Sequence, residues 1–196
     1  QEHEAKFVAH EIRVLRKEGH DIGEMAVLYR SNLQARPIEE ELRVQGLPYR
    51  LYGGTQFFDR KEVKDAVAYL RVVVNPYDEL SLRRVINYPT RGIGDTTIQR
   101  MTQWSLAYGK SFADALRMID QIPDVPDQAK RGARMLSAGL ARARDNFSAG
   151  TNLAGAARQL FSDVGLERLI KEDKNPSVQK RWGNVEYVLR SLEKYE

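Results

Sequence analysis

The 196-residue sequence contains no cysteine, which removes disulfides, thiolate metal ligands and cysteine nucleophiles together and fits a reducing compartment. Histidine is almost as scarce: His3, His10 and His20 all lie within the first 20 residues. A histidine metal site or a Ser-His-Asp triad would have to be built from that one terminus, so no metal site is expected. No apolar stretch approaches the roughly 18 residues that a membrane span needs, and no membrane partner is expected; a cytoplasmic location is. The opening Gln1-Glu2-His3-Glu4 lacks an initiator Met and the basic-then-apolar layout of a signal peptide, as expected of a piece cut from a longer chain.

What is present is a globular composition, with 42% hydrophobic and 30% charged residues. At roughly 150 residues per domain the length allows one domain or one and a half. Basic residues number 31 against 27 acidic, a net charge of +4; the pI of 9.3 overstates this balance. Any nucleic-acid surface must therefore come from local clustering.

Periodicity predicts an α/β part followed by an all-α part. Ala5, Val8, Ile12 and Leu15 recur at helical spacing, and the pattern stops at Gly19. Ala26-Val27-Leu28-Tyr29 is a short unbroken apolar run, the mark of a strand covered on both faces. A helix with Ala35, Ile38 and Leu42 inward follows the candidate caps Ser31 and Asn32, and a second strand is predicted from Tyr49 to Tyr52. Val63, Ala66, Val67, Leu70, Val73 and Val74 form a wide apolar helix face, ended by Asn75-Pro76. Strand, helix, strand, helix at this spacing is a parallel α/β unit. Two strands cannot cover themselves, so further strands would have to come from outside the chain. Beyond about residue 55 the patterns are helical. The longest runs through Ala129, Ala133, Leu136, Leu140, Ala143 and Phe147, a seam of small residues that lets a neighbour approach closely. Ile122-Pro123-Asp124-Val125-Pro126 is the best candidate boundary. The expected layout is a connector helix over 1–24, an α/β region over 25–122 and a helical region over 123–196.

Several motifs carry candidate chemistry. Gly109-Lys110-Ser111 invites a phosphate-loop reading, but that loop needs a glycine five residues before its last glycine, and Trp104 stands there. A helix terminator followed by an N-cap explains the triplet. Gly92-Ile93-Gly94 sits between two helical stretches. In such a hairpin two glycines let backbone approach a phosphate, the next helix aims its N-terminal amides at it, and the central Ile anchors the turn. Arg83, Arg84, Arg91 and Arg100 surround it, against Asp95. A site of this kind reads nucleic-acid backbone and not base sequence, although a tight turn among solvated arginines reads the same way. Tyr29-Arg30 closes the first predicted strand, where ligands of open α/β sheets bind; an ordinary strand-end tyrosine and a surface arginine fit equally. Gly53-Gly54-Thr55-Gln56-Phe57-Phe58 offers aromatic stacking on single-stranded bases, or core anchoring of at least one ring. Glu39-Glu40-Glu41 fans around a helix and reads as solvated surface.

Taken together, the blocks Ala26 to Asn32, Tyr49 to Asp65, Ala68 to Arg71 and Asn87 to Gly94 resemble the UvrD/Rep/PcrA family of superfamily 1 DNA helicases, in sequence and in order. The resemblance is dense from about residue 25 to 100. It implies that 25–122 is the first part of the second RecA-like motor domain and 123–196 part of its helical insertion. The intact enzyme would be an ATP-dependent helicase translocating 3′ to 5′, with ATP and Mg2+ between its motors. Single-stranded DNA and single-strand/duplex junctions would be its substrates, and repair or replication proteins its partners. By the match of Leu28-Tyr29-Arg30 to the family's motif IV, Tyr29 would pack on adenine and Arg30 would reach the γ-phosphate as an arginine finger. The block from Thr90 through Arg91, Gly92, Ile93 and Gly94, with Thr96, would lie near DNA phosphates. The phosphate loop, the Asp-Glu magnesium motif and the later motor motifs are not in this sequence, so the chain alone is expected neither to hold ATP tightly nor to hydrolyse it. A non-catalytic DNA-binding or partner-docking module is the alternative.

Overall fold

Helical spacing of apolar residues governs nearly all of the computed structural model, which describes residues 2–30, 32–51, 57–150 and 152–193. Packing divides the chain into two units, Gln1–Arg60 and Lys61–Glu196.

In the first unit, α1 (Glu2–Lys17) and α2 (Asn32–Val44) pack together. Their small core consists of Ala9, Leu42 and Leu47, edged by Ile12, Ile22, Ile38 and Tyr49. Both helices end on a glycine in the left-handed region, Gly19 and Gly46. After α2, the Leu47 amide reaches back to the Leu42 carbonyl at 2.8 Å, which satisfies a terminal acceptor that the helix leaves open.

The predicted strands do not form among the described residues. Ala26 to Tyr29 makes no ladder, and Leu28 is 94% exposed. The described part of the second run, residues 49–51, also makes none, and Tyr52 lies outside the described residues, as does 53–56 of the glycine-aromatic loop. A buried parallel strand needs neighbours on its edges and a layer on each face, and this chain supplies neither to Leu28. The described architecture is therefore all-α.

Glu39 corrects a second expectation. It is 3% exposed and not solvated, and its Oε2 accepts from the Phe57 amide at 2.8 Å and the Tyr49 hydroxyl at 3.3 Å. Burial pushes its carboxyl above the usual range against the pull of those two donors, and burial beside this carboxylate raises Tyr49 to about 12. Phe57 is fully buried and meets Phe58 edge-on at 5.0 Å, while Arg43 lies 4.4 Å over the Phe58 ring. The anchoring alternative for this pair of rings thus holds for Phe57.

The second unit contains α3 (Lys61–Val74), α4 (Glu79–Val85), α5 (Asp95–Tyr108), α6 (Phe112–Arg117), α7 (Asp127–Ser148), α8 (Leu153–Asp163), α9 (Leu166–Lys171), α10 (Pro176–Gln179) and α11 (Trp182–Leu192). One continuous core runs from Ala66 to Leu189. Its largest fully buried members, among them Phe161, Leu82, Ile93 and Leu136, each contribute roughly 1.5–3 kcal/mol by leaving water. The small-residue seam of α7 is buried as expected, at Ala129, Ala133, Leu136, Leu140 and Ala143, and it packs on α3, α6 and α8. Buried Glu62 of α3 accepts from the Asn184 amide of α11, 122 residues away, so the first and last helices of the unit share a polar contact inside the core. Ile122 and Val125 belong to the same core, and the prolines beside them mark a bend within one packed body. The break in packing falls at Arg60/Lys61.

Gly109-Lys110-Ser111 is a helix stop and a helix start. Gly109 ends α5 at φ 60°. Ser111 and Asp114 form a reciprocal capping box on α6, with the Asp114 amide donating to Ser111 Oγ at 3.0 Å. Hydrogen bonds from Ser111 and then Arg117 hold the Asp114 carboxyl down at about 2. A depressed carboxyl adds stability that is complete above its unfolded value, near 4, and is lost as pH falls through its folded value. Ser111→Ala should therefore lower unfolding free energy by about 1 kcal/mol at neutral pH, and by less at pH ~2 where Asp114 protonates; urea titrations at the two pH values measure the difference.

Candidate nucleic-acid interface

The candidate site in the second unit is the hairpin between α4 and α5, and its geometry follows from what each residue cannot avoid. Pro89 cannot donate into a helix, and the Tyr88-Pro89 peptide is cis. Gly92 turns the chain at φ 75°, and a Cβ there would meet Gln128 Cγ at 2.9 Å. Ile93 is fully buried and pins the turn to the core. The Asn87 Oδ1 accepts from the Arg91 amide at 2.7 Å and the Ile93 amide at 3.2 Å, closing the loop on itself.

Beyond Ile93 the backbone opens to solvent. Gly94 is the N-cap of α5 and supplies no side-chain cap, so the first amides of the helix have no acceptor within the described residues. Gly94, Asp95 and Thr96 are exposed, as is Thr90 on the other side of the turn. An exposed run of unsatisfied amides at a helix N-terminus suits an anion. Asp95 works against it, because its exposed carboxylate occupies the same positive helix end.

The arginines predicted around the hairpin are mostly engaged elsewhere. Arg83 bonds Glu79 at 2.7 Å and Thr102 at 2.8 Å and lies 4.0 Å over the Phe112 ring. Arg84 bonds the buried Asp65 at 2.8 Å, which also receives Lys61 at 2.7 Å. Arg100 donates to the Asp124 carbonyl.

Arg91 turns inward. Its Nη1 donates to the carbonyls of Val85 and Pro89, each at 3.0 Å. Its Nη2 donates at 2.7 Å to the Tyr69 hydroxyl and at 2.7 Å to the Val164 carbonyl. The side chain expected at a phosphate thus braces the hairpin from below. Arg91 and Arg100 bond only neutral oxygens in these contacts, so the region keeps a positive balance without presenting a row of free guanidinium groups.

Tyr29 and Arg30 belong to the other unit. Tyr29 is half-buried and Arg30 is exposed, with its amide donating to Gln34 Oε1 at 3.2 Å just before α2. Its guanidinium has no partner among the described residues.

Sequence reasoning missed Tyr69, Asn87 and Gly132. Gly132 lies in the second turn of α7, where a Cβ would collide with the Arg91 carbonyl oxygen; a glycine inside a helix was the available signal, because it costs helix stability unless something must come close. Tyr69 gave no signal, since a tyrosine on an apolar helix face is ordinary core.

The hairpin thus presents the uncapped N-terminus of α5 to solvent, a surface suited to an anion. Comparison with known proteins gives the family. Residues 1–129 match the UvrD-like helicase C-terminal domain, and the chain belongs to that family. The ATP-dependent DNA helicase PcrA of Bacillus subtilis (strain 168) is 33% identical over 98% of the chain, which covers 26% of that protein. DNA helicase II of Escherichia coli (strain K12) is 34% identical over 98% of the chain and also 26% covered. PcrA of Staphylococcus epidermidis (strain ATCC 12228 / FDA PCI 1200) is 43% identical over 61% of the chain. The chain thus spans about a quarter of the length of the full-coverage relatives.

Two substitutions test the brace. Arg91→Lys keeps the charge but not the planar fork, and leaves carbonyls unpaired; it should cost roughly 2–4 kcal/mol in chemical denaturation. Gly132→Ala would stabilise an unconstrained helix by about 1 kcal/mol. Here the expected sign is reversed, because the Arg91 backbone has nowhere to move, and thermal unfolding reads that sign.

Proposed function

We propose that this chain works as part of an ATP-dependent DNA helicase, contributing a backbone-binding surface and one flank of the nucleotide site. The observation that carries the reading is the hairpin from Thr90 to Thr96, which exposes Thr90 and the uncapped start of α5 at Gly94, Asp95 and Thr96. Gly92, Gly94 and the first α5 amides meet a DNA phosphate, Thr90 and Thr96 add hydroxyl donors, and Ile93 and Arg91 hold the loop in place. Contacts made by backbone amides carry no base preference, as a motor that moves along DNA requires. Single-stranded DNA and single-strand/duplex junctions are the proposed substrates, with 3′ to 5′ polarity, and repair or replication proteins the further partners.

Residues 25–60 are read as an edge of a RecA-like motor domain whose remaining strands lie elsewhere in the protein. The exposure of Leu28 supports this, since a strand that lacks its sheet leaves such a side chain in water. The single core of the second unit favours starting the helical insertion near Lys61 in place of residue 123, with 1–24 as the connector.

At the nucleotide, Tyr29 offers a ring for adenine and Arg30 an unengaged cation for the γ-phosphate, and both fit an outer contribution to an ATP and Mg2+ site. The phosphate loop and the acidic magnesium ligands belong to other parts of the protein. When bound, ATP supplies the phosphoryl group whose developing charge such an arginine stabilises.

In the full-length protein, Arg30→Ala should cut DNA-stimulated ATP turnover by ~10³-fold with DNA affinity nearly unchanged. Loss of DNA affinity with turnover intact at saturating DNA would instead place Arg30 on the DNA path. Asp95→Asn removes the carboxylate that competes for the α5 terminus, and should tighten DNA binding by about two- to fivefold at low salt, measured by fluorescence anisotropy.

A further inference from the structure

Beneath the hairpin, Tyr69 joins α3 to the backbone and the arginine of the loop. It sits on α3 with no exposed surface, and its ring meets Phe161 of α8 edge-on at 6.4 Å. Its hydroxyl is the meeting point of three elements. It donates to the Tyr88 carbonyl at the entrance of the hairpin, and it accepts from Arg91 Nη2 at 2.7 Å. The same Nη2 continues to the Val164 carbonyl beyond α8. Lys61, two turns earlier on α3, lies 3.4 Å over the Tyr88 ring, and Asp65 between them holds Arg84 of α4. One face of α3, made of Lys61, Asp65 and Tyr69 at successive i, i+4 spacings, therefore grips both the helix before the hairpin and the hairpin itself.

We infer that Tyr69 is a positioning residue for DNA binding: its hydroxyl orients the Arg91 fork, and the fork fixes the backbone amides of Gly92 to Thr96 in the geometry a phosphate meets. This rests on the reading of the hairpin as the phosphate contact. A guanidinium can rotate about its long stem, and the carbonyls of Val85, Ile86 and Pro89 compete for its donors. The hydroxyl removes that freedom, because it is held on rigid α3 and can accept from only one side. Burial raises the phenol to about 12 while Arg91 pulls the other way, so the O–H stays available as a donor throughout the working range. Removing the oxygen leaves Arg91 Nη2 and the Tyr88 carbonyl without this partner in a closed space, and a loop relaxes to satisfy them. Preorganised donors lose affinity when they must first be ordered.

The experiment uses the full-length protein with a junction DNA, titrated at several salt concentrations and at a temperature where thermal melts show every variant folded. Tyr69→Phe should weaken binding by ~10-fold at each salt concentration, with the log–log salt slope unchanged, because no phosphate charge contact is lost. Hydrogen exchange at the Arg91 and Ile93 amides, which Asn87 Oδ1 holds, should rise in the same variant while the interior of α5 stays protected. Gly94→Glu tests the underlying reading separately. Its added side chain meets open space, so it leaves the fold alone but sets a carboxylate beside the phosphate. Unchanged binding in Gly94→Glu would overturn the hairpin reading. Weakened binding there together with wild-type affinity in Tyr69→Phe would overturn the positioning role, and so would weakened binding in Tyr69→Phe with unchanged exchange at the Arg91 and Ile93 amides.

Discussion

A charged group drawn partly out of water needs hydrogen-bond partners, and Arg91 finds them for both of its Nη atoms in oxygens that carry no formal charge. The carbonyls of Val85 and Ile86 form the C-terminal end of α4, where the helix dipole favours a cation; Pro89 belongs to the hairpin, Val164 to the link between α8 and α9, and the Tyr69 hydroxyl to α3. One side chain thus adds polar ties among segments that already share one hydrophobic core. The cost of half-burying it is offset by these hydrogen bonds, and the positive charge stays unneutralised a short distance beneath the surface on which DNA is proposed to lie. Gly132 is the complement of this arrangement, since the Arg91 backbone can approach α7 only where a side chain is missing.

Much of the second unit was legible in the sequence because helices announce themselves by spacing. The buried seam of α7, the stop at Gly109 and the start at Ser111 follow from local rules. The same rules placed the Gly-Ile-Gly turn between two helices and sent Ile93 inward. What local rules could not show was the direction of long side chains. An arginine beside a glycine hairpin looks like a phosphate ligand, and its turn inward toward Tyr69 and Val164, the latter 73 residues later, shows only in the folded chain. Glu39 was misread for a similar reason. Three consecutive glutamates suggest solvent, but the middle of α2 is pressed against the Phe57 turn, and one of the three must face it.

The first unit illustrates the opposite limit. Ala26 to Tyr29 has the composition of a buried strand, and composition is a statement about the environment a segment was selected for. A strand has no structure of its own to fall back on, whereas an amphipathic helix completes its own backbone hydrogen bonds before it finds a partner. The helices of this unit therefore form around a core of alanine and leucine, while Leu28 waits in water. The contrast explains why an α/β expectation and an all-α description arise from the same residues.

The span between Arg91 and Val164 also has a meaning in time. A ribosome adds about 5–20 residues per second, so the carbonyl that completes the Arg91 fork emerges about 4–15 seconds after the arginine itself. Asn184, which meets Glu62 across 122 residues, follows later still. The hairpin is consequently among the first parts of this unit to be synthesised, yet its brace is complete only once Val164 has followed.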